Sequence, residues 1–190
     1  MKVIINTIVF FALLAQSSLI YSANRINIIF LPDPYDCHHT GVEGSITKNS
    51  RLGILAVVGC DSDRPTYGDS NDKVTNEFSR VLIPWTYSSG AWDNGYFLKI
   101  LAGLENHKFE SNIGSHAEVR FSDISANVGY QWFWNSGFNV SASLGVAFLF
   151  QNSVDKNIHT NESSDVIDFL DKNTKTNQHA AFGIILGWAF

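Results

Sequence analysis

The sequence is poor in charge, with Asp, Glu, Lys and Arg at 16% of its 190 residues against about 25% in average soluble domains. Its cations are scattered and outnumbered, 13 against 18 carboxylates, so the basic face that a nucleic-acid partner requires is missing. Cysteine occurs only twice, as Cys37 and Cys60. No second long apolar run follows the first residues, which excludes membrane spanning by helices. What is abundant is apolar and aromatic surface, 45% and 13% of the chain. A large soluble core or a lipid-facing wall would each use it, and only the order of residues distinguishes them.

The chain opens with Lys2, an apolar stretch from Val3 to Leu14 broken by Asn6 and Thr7, and small or polar residues through Ser22 and Ala23. That order is a secretory leader, too short for the roughly 20 residues of a spanning helix. We expect residues 1–23 to be a signal peptide and 24–190 a single mature domain. No cysteine stands close behind, so lipoprotein anchoring is not indicated.

The last segment carries the strongest pattern. Ala180, Phe182, Ile184, Leu186, Trp188 and Phe190 alternate with His179, Ala181, Gly183, Ile185, Gly187 and Ala189. Period two puts the bulky set and the small set on opposite sides of a sheet. A soluble sandwich would carry polar or charged residues opposite its core; a crowded barrel interior needs small ones. Similar faces run from Phe138 to Phe150, Ile124 to Trp134, Tyr96 to Leu104, Val81 to Tyr87 and Leu52 to Val58. Val42, Gly44 and Ile46 make a short seventh face, and Ile26, Ile28 and Phe30 an eighth. Pro84 weakens the fifth-ranked run because it lacks a ladder donor.

Connections alternate in length. Short ones fall at 48–50, 88–94 and 135–137; longer polar ones are expected at 32–39, 62–75, 106–117 and 152–176. Trp85, Tyr87, Tyr96, Trp132, Trp134 and Trp188 then gather at the end of the short turns, as an interfacial girdle would. The expected fold is all-β, an antiparallel eight-stranded transmembrane β-barrel, with a soluble sandwich or barrel as the competitor.

With these strands and a terminal Phe190 the chain resembles the small outer-membrane barrels of the OmpA, OmpX and OmpW kind. The resemblance is architectural and spans most of the mature chain. It implies outer-membrane lipids and the barrel assembly machinery as partners, with Trp188 and Phe190 as the assembly signal. Fold alone assigns no activity.

On this register Glu43, Arg80, Lys99, Glu105 and Asp123 point inward. The lumen of an eight-stranded barrel is just wide enough to be filled by side chains, so these residues are expected to pair and block passage; a narrow ion path is the other reading. Cys37 and Cys60 map to the same outer end in an oxidising compartment, where a disulfide is expected. A metal site from Cys37, His38 and His39 with Asp61 or Asp63 competes, but lacks the spacing of known zinc motifs. Some small outer-membrane barrels are lipid-A deacylases with a histidine-activated serine, yet no His-x-Ser follows any of the six histidines. Ser115, His116 and Glu118 are sequence neighbours that a strand would turn to opposite faces.

In the long segment before the last strand, Ser163, Ser164 and Asp165 precede Val166, Phe169 and Leu170 at helical spacing. They read as a short helix laid on the barrel rim, or as a ligand contact. No cofactor or catalytic constellation is recognisable. The expected function is therefore non-enzymatic, in envelope integrity or in contact with a host factor or other surface ligand through external loops. A membrane-embedded lipid-modifying enzyme or a narrow conduit is the alternative.

The terminal pattern yields a prediction. Replacing both Trp188 and Phe190 by Ala is expected to block membrane assembly, measured as protein recovered in the membrane fraction. Normal insertion of the double variant would reduce the pattern to ordinary packing.

Overall fold

The computed structural model describes residues 25–31, 38–65 and 73–190, with the backbone alone at 38 and 58–65. Eight strands run β1 (Ile26–Leu31), β2 (His38–Thr47), β3 (Ser50–Pro65), β4 (Lys73–Ser88), β5 (Gly95–Ser111), β6 (His116–Phe133), β7 (Phe138–Asn157) and β8 (Asn177–Ala189). One helix, α1 (Ser164–Asn173), stands between β7 and β8. Each strand pairs antiparallel with its sequence neighbour, and β8 returns to β1, so the sheet is a closed barrel. Closure is completed by the terminus: Phe190 N donates to Ile26 O at 2.9 Å, and Ile26 N donates back to Phe190 O at 3.4 Å.

Alternation explains the two walls. On β5, Phe97, Lys99, Glu105 and Phe109 are buried inside, while Tyr96, Leu98, Ile100 and Leu104 are exposed outside. The registers accumulate a stagger of about ten residues per circuit, which for eight strands gives a tilt of about 40°. Strong curvature needs inner positions without side chains. A Cβ on Gly103 would strike Val81 O of the neighbouring strand, and one on Gly129 would strike Ala142 O and the Phe97 ring. Pro84 also faces inward. No β3 partner is paired to Pro84 or Ile83, yet the register is the same on either side, so the missing donor interrupts the ladder without ending the strand.

The strands are longer than the outer apolar pattern indicated. The loop expected at 106–117 is instead the continuation of β5 and β6, joined by a turn at 112–115, and β3 and β4 likewise extend to Pro65 and from Lys73. The reason is a change of outer face. Above Leu104 the outward residues are Asn106, Lys108 and Glu110, while Phe109, Ala117, Val119 and Phe121 still alternate inside. The 152–176 connection contains the end of β7 and α1. At the other end the short turns lie at 48–49, 89–94 and 134–137, where Gly137 (φ 88°) donates to Trp134 O at 2.9 Å.

The expected signal peptide and Cys37 lie outside the described residues, and Cys60 is described in its backbone alone.

The inner glycines separate into crowded and open sites. Gly103→Ala is expected to lower stability by about 1–3 kcal/mol through overpacking. Gly183, whose inward Cβ would meet nothing within 4 Å, should tolerate Ala with a change under about 0.5 kcal/mol. Equal denaturation midpoints for the two variants would contradict this account of the curvature.

Candidate functional site

Among the described residues buried charge collects in the lumen, which is built in layers. At the turn end, 89–94 folds beneath the barrel, leaving Ala91 buried and donating from its amide to Lys48 O at 2.8 Å. Arg51 lies above it, 5.2 Å from the Trp92 ring centroid and 5.5 Å from that of Phe133. Its guanidinium donates to Ala91 O and to Gln131 Oε1, the latter at 2.7 Å, and forms an ion pair with Glu43 at 3.3 Å. Asn27 Nδ2 donates to Glu43 Oε1 at 3.0 Å and exchanges further bonds with Asn139. These groups come from β1, β2, β3, β6 and β7, so the layer ties five strands together.

Above it is an apolar layer of Ile29, Leu55, Leu82 and Ile185, with Leu31 and Leu101 against it. A second charged layer follows. Arg80 pairs with Glu105 at 3.1 Å and with Asp123, which is fully buried. His107 Nε2 lies 2.5 Å from Glu105 Oε1, and its Nδ1 is 3.3 Å from Asn76 Oδ1. The imidazole is stacked between Phe78 and Phe109, with Phe121 edge-on.

The top is an apolar cluster of Val74, Phe109, Ala117, Val119 and Phe121, closed by Val166 and Leu170 of α1. Ser163 caps the helix, accepting from Val166 N at 3.3 Å, and Asp165 and Lys172 complement its two ends. A bulge between β6 and β7 at Arg120/Phe121 brings Val154 and Lys156 opposite the inward Val119 and Ala117. Lys156 thereby reaches Asp171 of α1 and, through that hydrogen bond and its charge, holds the carboxyl below its ordinary range. Ser111 Oγ donates to Glu162 Oε2 at 2.6 Å, latching the helix approach to the β5–β6 turn.

The five inward charges read from the sequence thus divide. Glu43 joins Arg51 in the lower layer; Arg80, Glu105 and Asp123 form the upper one; Lys99 joins neither by an ion pair. Arg51 was overlooked, although as the residue before Leu52 it falls on the inner side of that strand's alternation. Asn27, Gln131 and Asn139 complete the lower layer. Trp188 and Phe190 lie at the turn end, Trp188 with its ring 6.1 Å from Phe138.

No nucleophile–base pair emerges among the described residues. Ser115 is buried and its Oγ accepts from His159 N at 2.8 Å, while His116 is exposed. No group of three or more His, Cys, Asp or Glu able to hold a metal occurs among them. An open surface concavity of about 540 Å³ lies outside β4–β6 near the helix end, lined by Glu77, Lys108, Glu110, His116 and Glu118 among others. No family model, curated protein or solved structure matches this chain.

Among the described residues Arg80 is the sole cation paired to two buried carboxylates. Arg80→Met should cost about 3–5 kcal/mol, the usual result of stranding a buried charge, and adding Glu105→Gln and Asp123→Asn should restore most of it. Chemical denaturation of the single and triple variants checks this; a single variant as stable as the parent would show that the layer is not held by pairing.

Proposed function

We propose that this protein is an outer-membrane barrel, exported by its leader, that acts without catalysis in envelope integrity or in binding a surface or host factor through its helix end. The observation that carries the reading is the outer wall. Large apolar side chains are exposed all along it, with Leu144 at 68% and Phe182 at 90%, far more than a water-facing wall leaves uncovered. The same wall has a defined height. From Tyr96 to Asn106, at about 3.3 Å per residue and a tilt of about 40°, β5 rises roughly 25 Å, the height of the apolar band on such barrels.

One edge of the band is a girdle of aromatic rings. Tyr96 and Tyr130 meet at 5.1 Å, Tyr130 and Trp132 at 4.8 Å, and Trp134 and Phe138 at 5.3 Å. Rings with a polar edge suit the headgroup level. At the other edge Ser79, Asn106 and Ser122 replace the apolar residues, and the strands continue into a charged, helix-capped rim. Transverse closure of the lumen at the 89–94 turn and at α1 favours this reading over an axial conduit. The lipids of the outer leaflet and the barrel assembly machinery are the implied partners, and the rim is the surface available to a further one.

Expressed in a Gram-negative host, the chain should fractionate with the outer membrane and migrate faster on gels when unboiled. Recovery in fully soluble form from the periplasm, without detergent, would overturn the proposal.

A further inference from the structure

The inner wall of the lower lumen carries one continuous row, Arg51, Thr86, Lys99 and Asn127, each the partner of the next across β3, β4, β5 and β6. All four are buried. Directly opposed residues of an antiparallel pair lie on one face of the sheet, with Cα atoms about 4.5–5.5 Å apart. Lys99 and Asn127 are such a pair, and the flexible four-carbon stem of a lysine is long enough to carry its nitrogen onto the neighbouring carboxamide.

The same layer sets Arg51 and Lys99 beside one carboxylate, Glu43. Glu43 Oε1 is engaged by Arg51 and Asn27, while Oε2 accepts no hydrogen bond from any described residue. Two buried cations on one buried carboxylate are poorly compensated. Conversion of Lys99 to an uncharged group would leave one cation on one carboxylate.

The chemistry for that conversion is present. An amine becomes nucleophilic when it is dehydrated or set beside another cation. Lys99 meets both conditions, being buried and within electrostatic reach of Arg51. The electrophile is held in place, since Asn127 Nδ2 donates to Ser125 Oγ at 3.3 Å. Glu43, also within electrostatic reach of Lys99, can carry protons. Leu55, Leu82 and Leu101 cover the layer on one side and the buried Ala91 on the other, which keeps competing water away. Groups fixed on adjacent strands react with the advantage of an intramolecular step.

We propose that Lys99 and Asn127 condense into an isopeptide bond that staples β5 to β6 inside the lumen. Glu43 takes one proton from the Lys99 ammonium, and the freed Nζ attacks Asn127 Cγ with its electron pair. The carboxamide C–N bond then breaks, its electron pair going to the departing nitrogen. That nitrogen receives one proton from Nζ and one back from Glu43, and leaves as ammonium. No oxidant or further reactant is needed, and the ammonium carries one positive charge out of the layer. The cross-link is a property of the lumen and does not depend on the membrane reading.

The test is intact-mass spectrometry of the full chain, sampled as it refolds from denaturant into non-ionic detergent, with folding followed by circular dichroism. The denatured chain should have the mass of its sequence, and the folded chain should become one ammonia lighter. Trypsin should then leave Lys99 uncut, in a peptide joined to the one that contains Asn127. Lys99→Arg keeps the charge without the primary amine and should hold its full mass. Glu43→Gln should slow the loss about a hundredfold or more, the usual contribution of a positioned proton carrier; an unchanged rate would remove Glu43 from the step. A folded parent chain at its full sequence mass would overturn the proposal, whether or not the variants fold. An ammonia loss that maps elsewhere, such as a succinimide at Asn94 before Gly95, or one that persists in Lys99→Arg, would overturn it equally.

Discussion

Backbone closure between the two ends of the chain is the constraint on which everything else depends. The paired bonds of Ile26 and Phe190, and the short run from Asn27–Ala189 to Phe30–Leu186, turn an open sheet into a ring. An open sheet would present two edges of unpaired donors and acceptors. Closure removes those edges where the strands are paired, and fixes the radius that decides which side chains fit inside. Crowded glycines such as Gly103, and the interleaved charged and apolar layers, are consequences of that radius.

The charged layers differ in kind. The lower one is cross-linked through Arg51, whose guanidinium meets a carboxylate, an amide, a backbone carbonyl and two rings at once. Five donors on a planar group make such multiple engagement possible, and an ammonium would not reproduce it. The upper layer has fewer neutral partners and relies on a single cation between two carboxylates. Among the described residues the lower layer sets Arg51 and Lys99 beside Glu43, and the upper one sets Arg80 between Glu105 and Asp123.

Much of the barrel was legible in the sequence because outward apolar and lumen-type positions alternate with period two, and because each strand repeats the pattern. Leu144 against Ser143, or Leu186 against Gly187, needs no structure to be assigned to a side. The upper parts of β5 and β6 were hidden because their outer residues turn polar while only Phe109, Val119 and Phe121 keep the inner period. That combination reads as a loop when the outer face alone is followed. Which charges pair was not legible either, since Arg80 and Asp123 stand 43 residues apart and meet only through two registers. The helix was visible from Ser163 and its spacing, but its anchorage on the rim depends on the bulge that brings Lys156 to Asp171.

That anchorage bears on the sequence of events in assembly. Val166 and Leu170 have no apolar surface to cover until the upper ends of β4, β5 and β6 are side by side. The helix therefore docks after the strands on which it rests, and its apolar face spends the preceding interval in water. Because it holds the rim through side chains rather than through the ladder, it can also undock without breaking a strand pair. The molecule thus contains two cooperative units of unequal persistence, a cylinder that opens only with global unfolding and a cap whose excursions are local.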